Sequence, residues 1–87
     1  MYAIVVYDVV VERIDKVRGV LKRYLNWVQN SAFEGELTEG QLQELSTRLW
    51  DAIEREKDSI LVYRFSNPKW VSKSIIGVEK SEISPVL

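Results

Sequence analysis

Eighty-seven residues hold one domain, because a chain of this size buries only roughly 60–65% of its extended surface and leaves no core for a second. Apolar residues make up 46% and charged residues 29%, the balance of a water-soluble globule, which excludes a disordered tail or a fibrous repeat. A net charge of −1 argues against a generally basic nucleic-acid coat, and the lack of cysteine and histidine excludes disulfides, zinc sites of the usual kind, thiol nucleophiles and imidazole bases.

Tyr2 to Tyr7 (YAIVVY) is an apolar, β-branched and aromatic run that predicts a strand buried on both faces, with Asp8 at its exit. Ile14, Val17, Val20, Leu21, Tyr24 and Leu25 follow helical spacing and predict a helix from about Glu12 to Tyr24, whose other side carries Arg13, Lys16, Arg18, Lys22 and Arg23. From Trp27 the period changes to two, with Trp27, Gln29, Ser31 and Phe33 on one face of a second strand and Val28, Asn30, Ala32 and Glu34 on the other. Gly35 permits a bend or bulge before a short third strand at Glu36 and Leu37. Thr38 followed by Gln41 fits a capping box, and Leu42, Leu45, Leu49 and Ile53 mark one face of a second helix ending near Arg55. Asp58 and Ser59 lead into a doubly apolar strand, Ile60 to Phe65, which Asn67 and Pro68 break. Lys73 to Glu79 is a last, short strand candidate, so the domain is expected to span 1–79, with 80–87 a loosely ordered tail.

This order is that of an α+β, ferredoxin-like split βαβ sandwich (βαββαβ) with an additional C-terminal strand. Right-handed crossovers put both helices on one face of the sheet, yet the runs YAIVVY and ILVYRF are apolar on both faces. A second copy of the chain is the simplest cover for the other face, which predicts a homodimer.

No stretch approaches the roughly 18 apolar residues of a membrane span, and Tyr2 and Ala3 stand where an export signal would place bases. A cytoplasmic protein without membrane contact is expected. Charge is divided along the chain: residues 1–24 are net +2, 34–58 net −5 and 59–87 net +2. An anion-binding surface would therefore draw on the first helix and the C-terminal third, although solvated helix faces produce such segregation too.

The chemistry left to this composition is that of carboxylates with a hard cation such as magnesium or manganese. Asp8 is the sharpest candidate, because an acid ending an apolar strand must find water, a cation or a hydrogen-bond donor. A solvated loop residue is the commoner explanation. Two copies of Asp8 brought together by a dimer axis would hold a cation better than one. The basic helix face could contact phosphates, and the stripe from Trp27 to Phe33 could stack a nucleotide, but solvation and core packing account for such features more often. Trp50 is expected on the flank of the second helix's core face; Trp70 could be a lid or an interface residue. The chain has no glycine-rich phosphate cradle and no internal repeat.

Three segments together carry a resemblance across nearly the whole chain: VVYDV (Val5 to Val9), WVQNSAFEGELT (Trp27 to Thr38), and DSILVYRF (Asp58 to Phe65) followed by SIIGVE (Ser74 to Glu79). They resemble CRISPR-associated protein 2, the small ferredoxin-like subunit of the spacer-acquisition machinery. The resemblance implies a homodimer in which the strand around Ile75 to Glu79 pairs with the partner's sheet. It implies that Asp8 is the catalytic, metal-binding acid (Mg2+ or Mn2+), facing its twin across the dimer cleft. Tyr7, Ser31 and Phe33 match family positions, and Arg13 and Lys16 lie where family members carry helix arginines. These five are the nucleic-acid-binding candidates. Asn30 departs from the family's frequent tyrosine. Two roles are implied: a metal-dependent endonuclease on RNA or DNA, single-stranded RNA included, or a non-catalytic scaffold that bridges CRISPR integrase dimers and supports the spacer DNA duplex. Outside the family, a ferredoxin-like regulatory module binding a small ligand is the remaining alternative, opposed by the basic helix and the missing glycine-rich loop.

Overall fold

The computed structural model describes residues 1–81. Strand β1 (Tyr2–Asp8) is central, because its alternate residues Ala3, Val5 and Tyr7 are buried under the helices while Ile4 and Val6 look the other way. Helix α1 (Val11–Leu21) follows, then β2 (Asn26–Gln29), β3 (Ala32–Glu36), helix α2 (Glu39–Ala52) and β4 (Ser59–Phe65), with a short 3₁₀ turn at Pro68–Trp70. The sheet order is β2-β3-β1-β4, all antiparallel, which is the expected ferredoxin-like arrangement.

The core lies between the sheet and both helices. Val17 and Leu21 of α1 and Leu42, Leu45, Leu49 and Ala52 of α2 pack on Ala3, Val5, Tyr7 and Phe33. Those helix positions recur at three- and four-residue spacing, so each helix turns one apolar stripe to the sheet. Helix α2 begins with the expected capping box: the Gln41 amide donates to Thr38 Oγ1 (3.1 Å) and the Thr38 amide to Gln41 Oε1 (2.9 Å).

Two expectations in the middle of the chain are corrected. The single period-two strand from Trp27 to Glu34 is a hairpin, in which Asn30 and Ser31 form the turn and Trp27 stands opposite Phe33. Asn30 adopts φ +46°, a left-handed conformation that asparagine accepts at low cost, and the Trp27 Nε1–H donates to the Asn30 carbonyl at 3.0 Å across the tip. A bulge between Trp27 and Gln29 absorbs the extra residue. Gly35, expected at a bend, lies within β3 opposite Ala3, where a Cβ would stand 3.2 Å from Leu25 Cδ2. Leu25 can therefore close over that strand.

Lys73 to Glu79 is the segment expected to pair as a strand with a second copy's sheet. Among the described residues this segment joins no strand of its own chain, and Gly77 has φ +97°. A strand exists only against a partner, and residues 71–81 have none within this sheet. The Lys73 ammonium instead pairs with Glu34 of β3, leaving Ile76 and Val78 exposed. The tail expected at 80–87 lies, from 82 onward, outside the described residues.

Candidate functional site

Asp8 occupies the last pair of the β1–β4 ladder, opposite Ser59. Residues facing each other across antiparallel strands share a sheet face, so Asp8 lies on the face away from the helices, in line with Ile4 and Val6 and across from Leu61 and Tyr63. Leu61 and Tyr63 are 51% and 52% exposed, and this face is the apolar surface that the helices leave uncovered. Asp8 is itself exposed, and among the described residues its carboxylate has no hydrogen-bond or ion-pair partner.

An unpartnered carboxylate suits magnesium or manganese, which take one or two protein carboxylates and fill their remaining positions with water and phosphate oxygens. Among the described residues no three acidic side chains gather into a closed metal cage. The described residues thus offer Asp8 alone here, and a fuller ligand set needs a second copy or the substrate's own oxygens.

The hairpin tip sits at the same end of the sheet. The Tyr7 amide donates to the Ser31 carbonyl at 3.1 Å, which places Ser31 beside the end of β1. Tyr7 points to the opposite face from Asp8: it is buried, its ring lies 6.4 Å from that of Phe33, and its hydroxyl accepts from Arg18 Nη1 at 3.3 Å. Phe33 is fully buried. The expected contact of the Tyr7 and Phe33 side chains with nucleic acid is replaced by a packing role, because neither ring has surface to offer.

Arg13 is not a free phosphate ligand either. Its Nε donates to Asp58 Oδ2 at 2.5 Å and its Nη2 to Asp58 Oδ1 at 3.1 Å, with Nη1 3.4 Å from Glu54 Oε2. Lys16 is exposed and has no ion pair among the described residues. Of the expected residues, Asp8 and Ser31 therefore lie at the same end of the sheet, Lys16 stands on the outer surface of α1, Tyr7 and Phe33 are buried, and Arg13 is half-buried and paired.

The family model of CRISPR associated protein Cas2 matches residues 1–73. The chain belongs to that family. It is similar to the CRISPR-associated endoribonuclease Cas2 of Methanothermobacter thermautotrophicus, 42% identical over 87 residues, covering 100% of this chain and 96% of the relative. A Cas2 crystal structure superposes with a TM-score of 0.85 at 46% identity, covering 100% of this chain and 98% of that one. Streptococcus pyogenes Cas2, crystallised at pH 6.5, superposes with a TM-score of 0.72 at 29% identity, covering 85% and 99%.

Two residues of this Cas2 chain matter beyond what the sequence signalled. Arg18, read as one more solvated base of α1, lies over the rings of Trp27 (5.6 Å) and Phe33 (5.7 Å), an arrangement that depends on the hairpin setting those rings opposite each other. Asp58 is fully buried at its side chain and accepts from the Val10 and Glu54 amides as well as from Arg13. The Arg13 hydrogen bonds and then the two backbone amides hold its carboxyl well below the usual carboxylate range, against the opposing effect of burial. Its position four residues after Glu54, just before a strand, is a turn signal that could have marked it. Trp50, expected beside the core, is 53% exposed with Arg55 4.2 Å from its ring centre, beside a groove of about 400 Å³ on the helix side of β4. That groove lies on the opposite side of the sheet from Asp8.

Among the described residues no helix is long and apolar enough to cross a membrane.

Proposed function

We propose that this Cas2 protein is a cytoplasmic homodimer of the CRISPR adaptation stage, bridging integrase dimers and supporting spacer DNA, and that it hydrolyses RNA phosphodiester bonds at Asp8 with Mg2+ or Mn2+. The observation that carries the catalytic part is the unpartnered Asp8 carboxylate at the end of an open apolar sheet face. The endoribonuclease name of the 42% identical relative favours RNA over DNA as the cleaved substrate.

A second copy docked over Ile4, Val6, Leu61 and Tyr63 would remove that apolar surface from water, and a two-fold axis near its end would bring the two Asp8 side chains toward one cleft. Ile76 and Val78, exposed and outside any ladder of their own chain, are suited to strand pairing with that copy. Asp8 would hold the cation, and the chemistry a bound cation supplies is an activated water and neutralisation of charge on the phosphate. Without histidine or cysteine the chain has no imidazole or thiol to do the same. Lys16 contributes phosphate attraction from α1, and the buried Tyr7 and Phe33 keep the end of β1 rigid beneath Asp8.

The test is Asp8→Asn in the intact protein, assayed on single-stranded RNA with Mg2+ or Mn2+. Cleavage should fall by orders of magnitude while sedimentation still reports a dimer. Retained cleavage, after contaminating nuclease is excluded, removes Asp8 from the chemistry; a stable monomer removes the shared site. The scaffold role does not use this carboxylate, so spacer integration with the partner enzyme should survive the same substitution.

A further inference from the structure

Asp8 is fixed by what happens on either side of it. Its own backbone pairs with Ser59, the first residue of β4. Two residues on, the Val10 amide donates to Asp58 Oδ1 at 3.0 Å. Asp8 and Val10 are thus tied to the consecutive residues Ser59 and Asp58, which closes the turn leaving β1 into a small ring and removes most of its backbone freedom.

The tie holds only because Asp58 is itself immobilised. Four donors converge on its carboxylate: the Val10 amide and Arg13 Nη2 (3.1 Å) on Oδ1, the Glu54 amide (2.8 Å) and Arg13 Nε (2.5 Å) on Oδ2. That fills the lone-pair positions of an ionised carboxylate. The donors come from three places, the start of α1, the turn after α2 and the exit of β1, so the side chain joins both helix ends to the strand that carries Asp8. We infer that Asp58, clamped by Arg13, is the positioning residue for Asp8, holding the turn at Val10 so that the Asp8 carboxylate stands ready for a divalent cation. This rests on the reading of Asp8 as the metal ligand.

The physical reason is that a cation held by very few protein oxygens depends on each being in place before it binds. Groups that orient a metal ligand typically contribute tenfold to a hundredfold in affinity. Asparagine at 58 cannot substitute, since its NH2 group would face a donor that now meets an oxygen, and the neutral amide loses the guanidinium's charge-assisted pair.

The experiment measures Mn2+ binding to the full-length protein by the electron paramagnetic resonance signal of the free ion, for the parent, Asp58→Asn and Asp8→Asn. With far-UV circular dichroism unchanged, Asp58→Asn should bind Mn2+ about tenfold more weakly. Its cleavage should recover when Mn2+ is raised by the same factor, whereas Asp8→Asn recovers at no concentration. A folded Asp58→Asn protein with parental Mn2+ affinity overturns the inference and leaves the Asp8 reading standing. Parental affinity in Asp8→Asn overturns that reading instead. Should Asp58→Asn fail to fold, Val10→Pro decides, because Val10 has φ −63°, which proline accepts, and the substitution deletes the one amide that ties the turn. Weakened Mn2+ binding in folded Val10→Pro supports the inference, and unchanged binding overturns it.

Discussion

Asp8 and Ser59 face each other at the last pair of the β1–β4 ladder, and backbone pairing is what places the Asp8 carboxylate on the open face of the sheet. Among the described residues the side chain makes no hydrogen bond or ion pair. Asp8→Asn should therefore leave stability within about 0.5 kcal/mol of the parent, while metal-dependent cleavage falls by orders of magnitude. Chemical denaturation beside an RNA cleavage assay checks the separation. A large stability change would mean that Asp8 has a structural partner.

Acid should act on the fold through Asp58. Its folded-state pKa is depressed, so the ionised form contributes stability that is present above the unfolded carboxylate value of about 3.9 and is lost as pH falls below it. The melting temperature should drop steeply below about pH 4. Asp58→Asn, being less stable at neutral pH, should show a shallower acid slope in thermal melts. Equal slopes would assign the acid sensitivity to other carboxylates.

Phe33→Ala should destabilise the protein by about 3–5 kcal/mol, because the ring is fully buried beside Tyr7 and under Arg18. Phe33→Leu, which keeps most of the volume, should cost much less. If Phe33 acts through packing, activity per folded molecule recovers in the leucine variant at a temperature where it is fully folded; activity that stays lost there would point to a direct role for the ring.

Lys16 and Arg13 should behave differently despite lying on the same helix. Lys16→Ala should weaken binding about equally for unrelated nucleic acids and reduce the salt slope by roughly one unit without changing stability. Arg13→Ala should lower the melting temperature, since it removes the clamp on Asp58. Fluorescence anisotropy across a salt series and thermal melts measure the two effects. An unchanged slope in Lys16→Ala would leave that face of α1 merely solvated.

The element order, the capping box of Thr38 and Gln41, and the apolar stripes of both helices were legible because each depends on a local repeat or a contact three residues away. The place of Asp8 at the exposed end of β1 was legible too, as an acid closing an apolar run. The hairpin was not: alternation continues across Asn30 and Ser31, and a left-handed turn leaves no trace in hydrophobic period. The β-branched residues from Lys73 to Glu79 suggested a strand, and propensity does not say whose edge it meets; among the described residues it joins none of its own chain.

By itself the sequence determined which residues would be apolar on one side of each helix, that no imidazole or thiol is present for chemistry, and that the sheet would expose apolar surface. Only the tertiary structure decided which charged side chains are free. Arg13 and Lys16 look alike along α1, but Asp58, forty-five residues beyond Arg13, folds back to claim its guanidinium and leaves Lys16 in water. Charge pairing across that separation depends on the distance between strand and helix ends in the folded chain, and no local pattern encodes it.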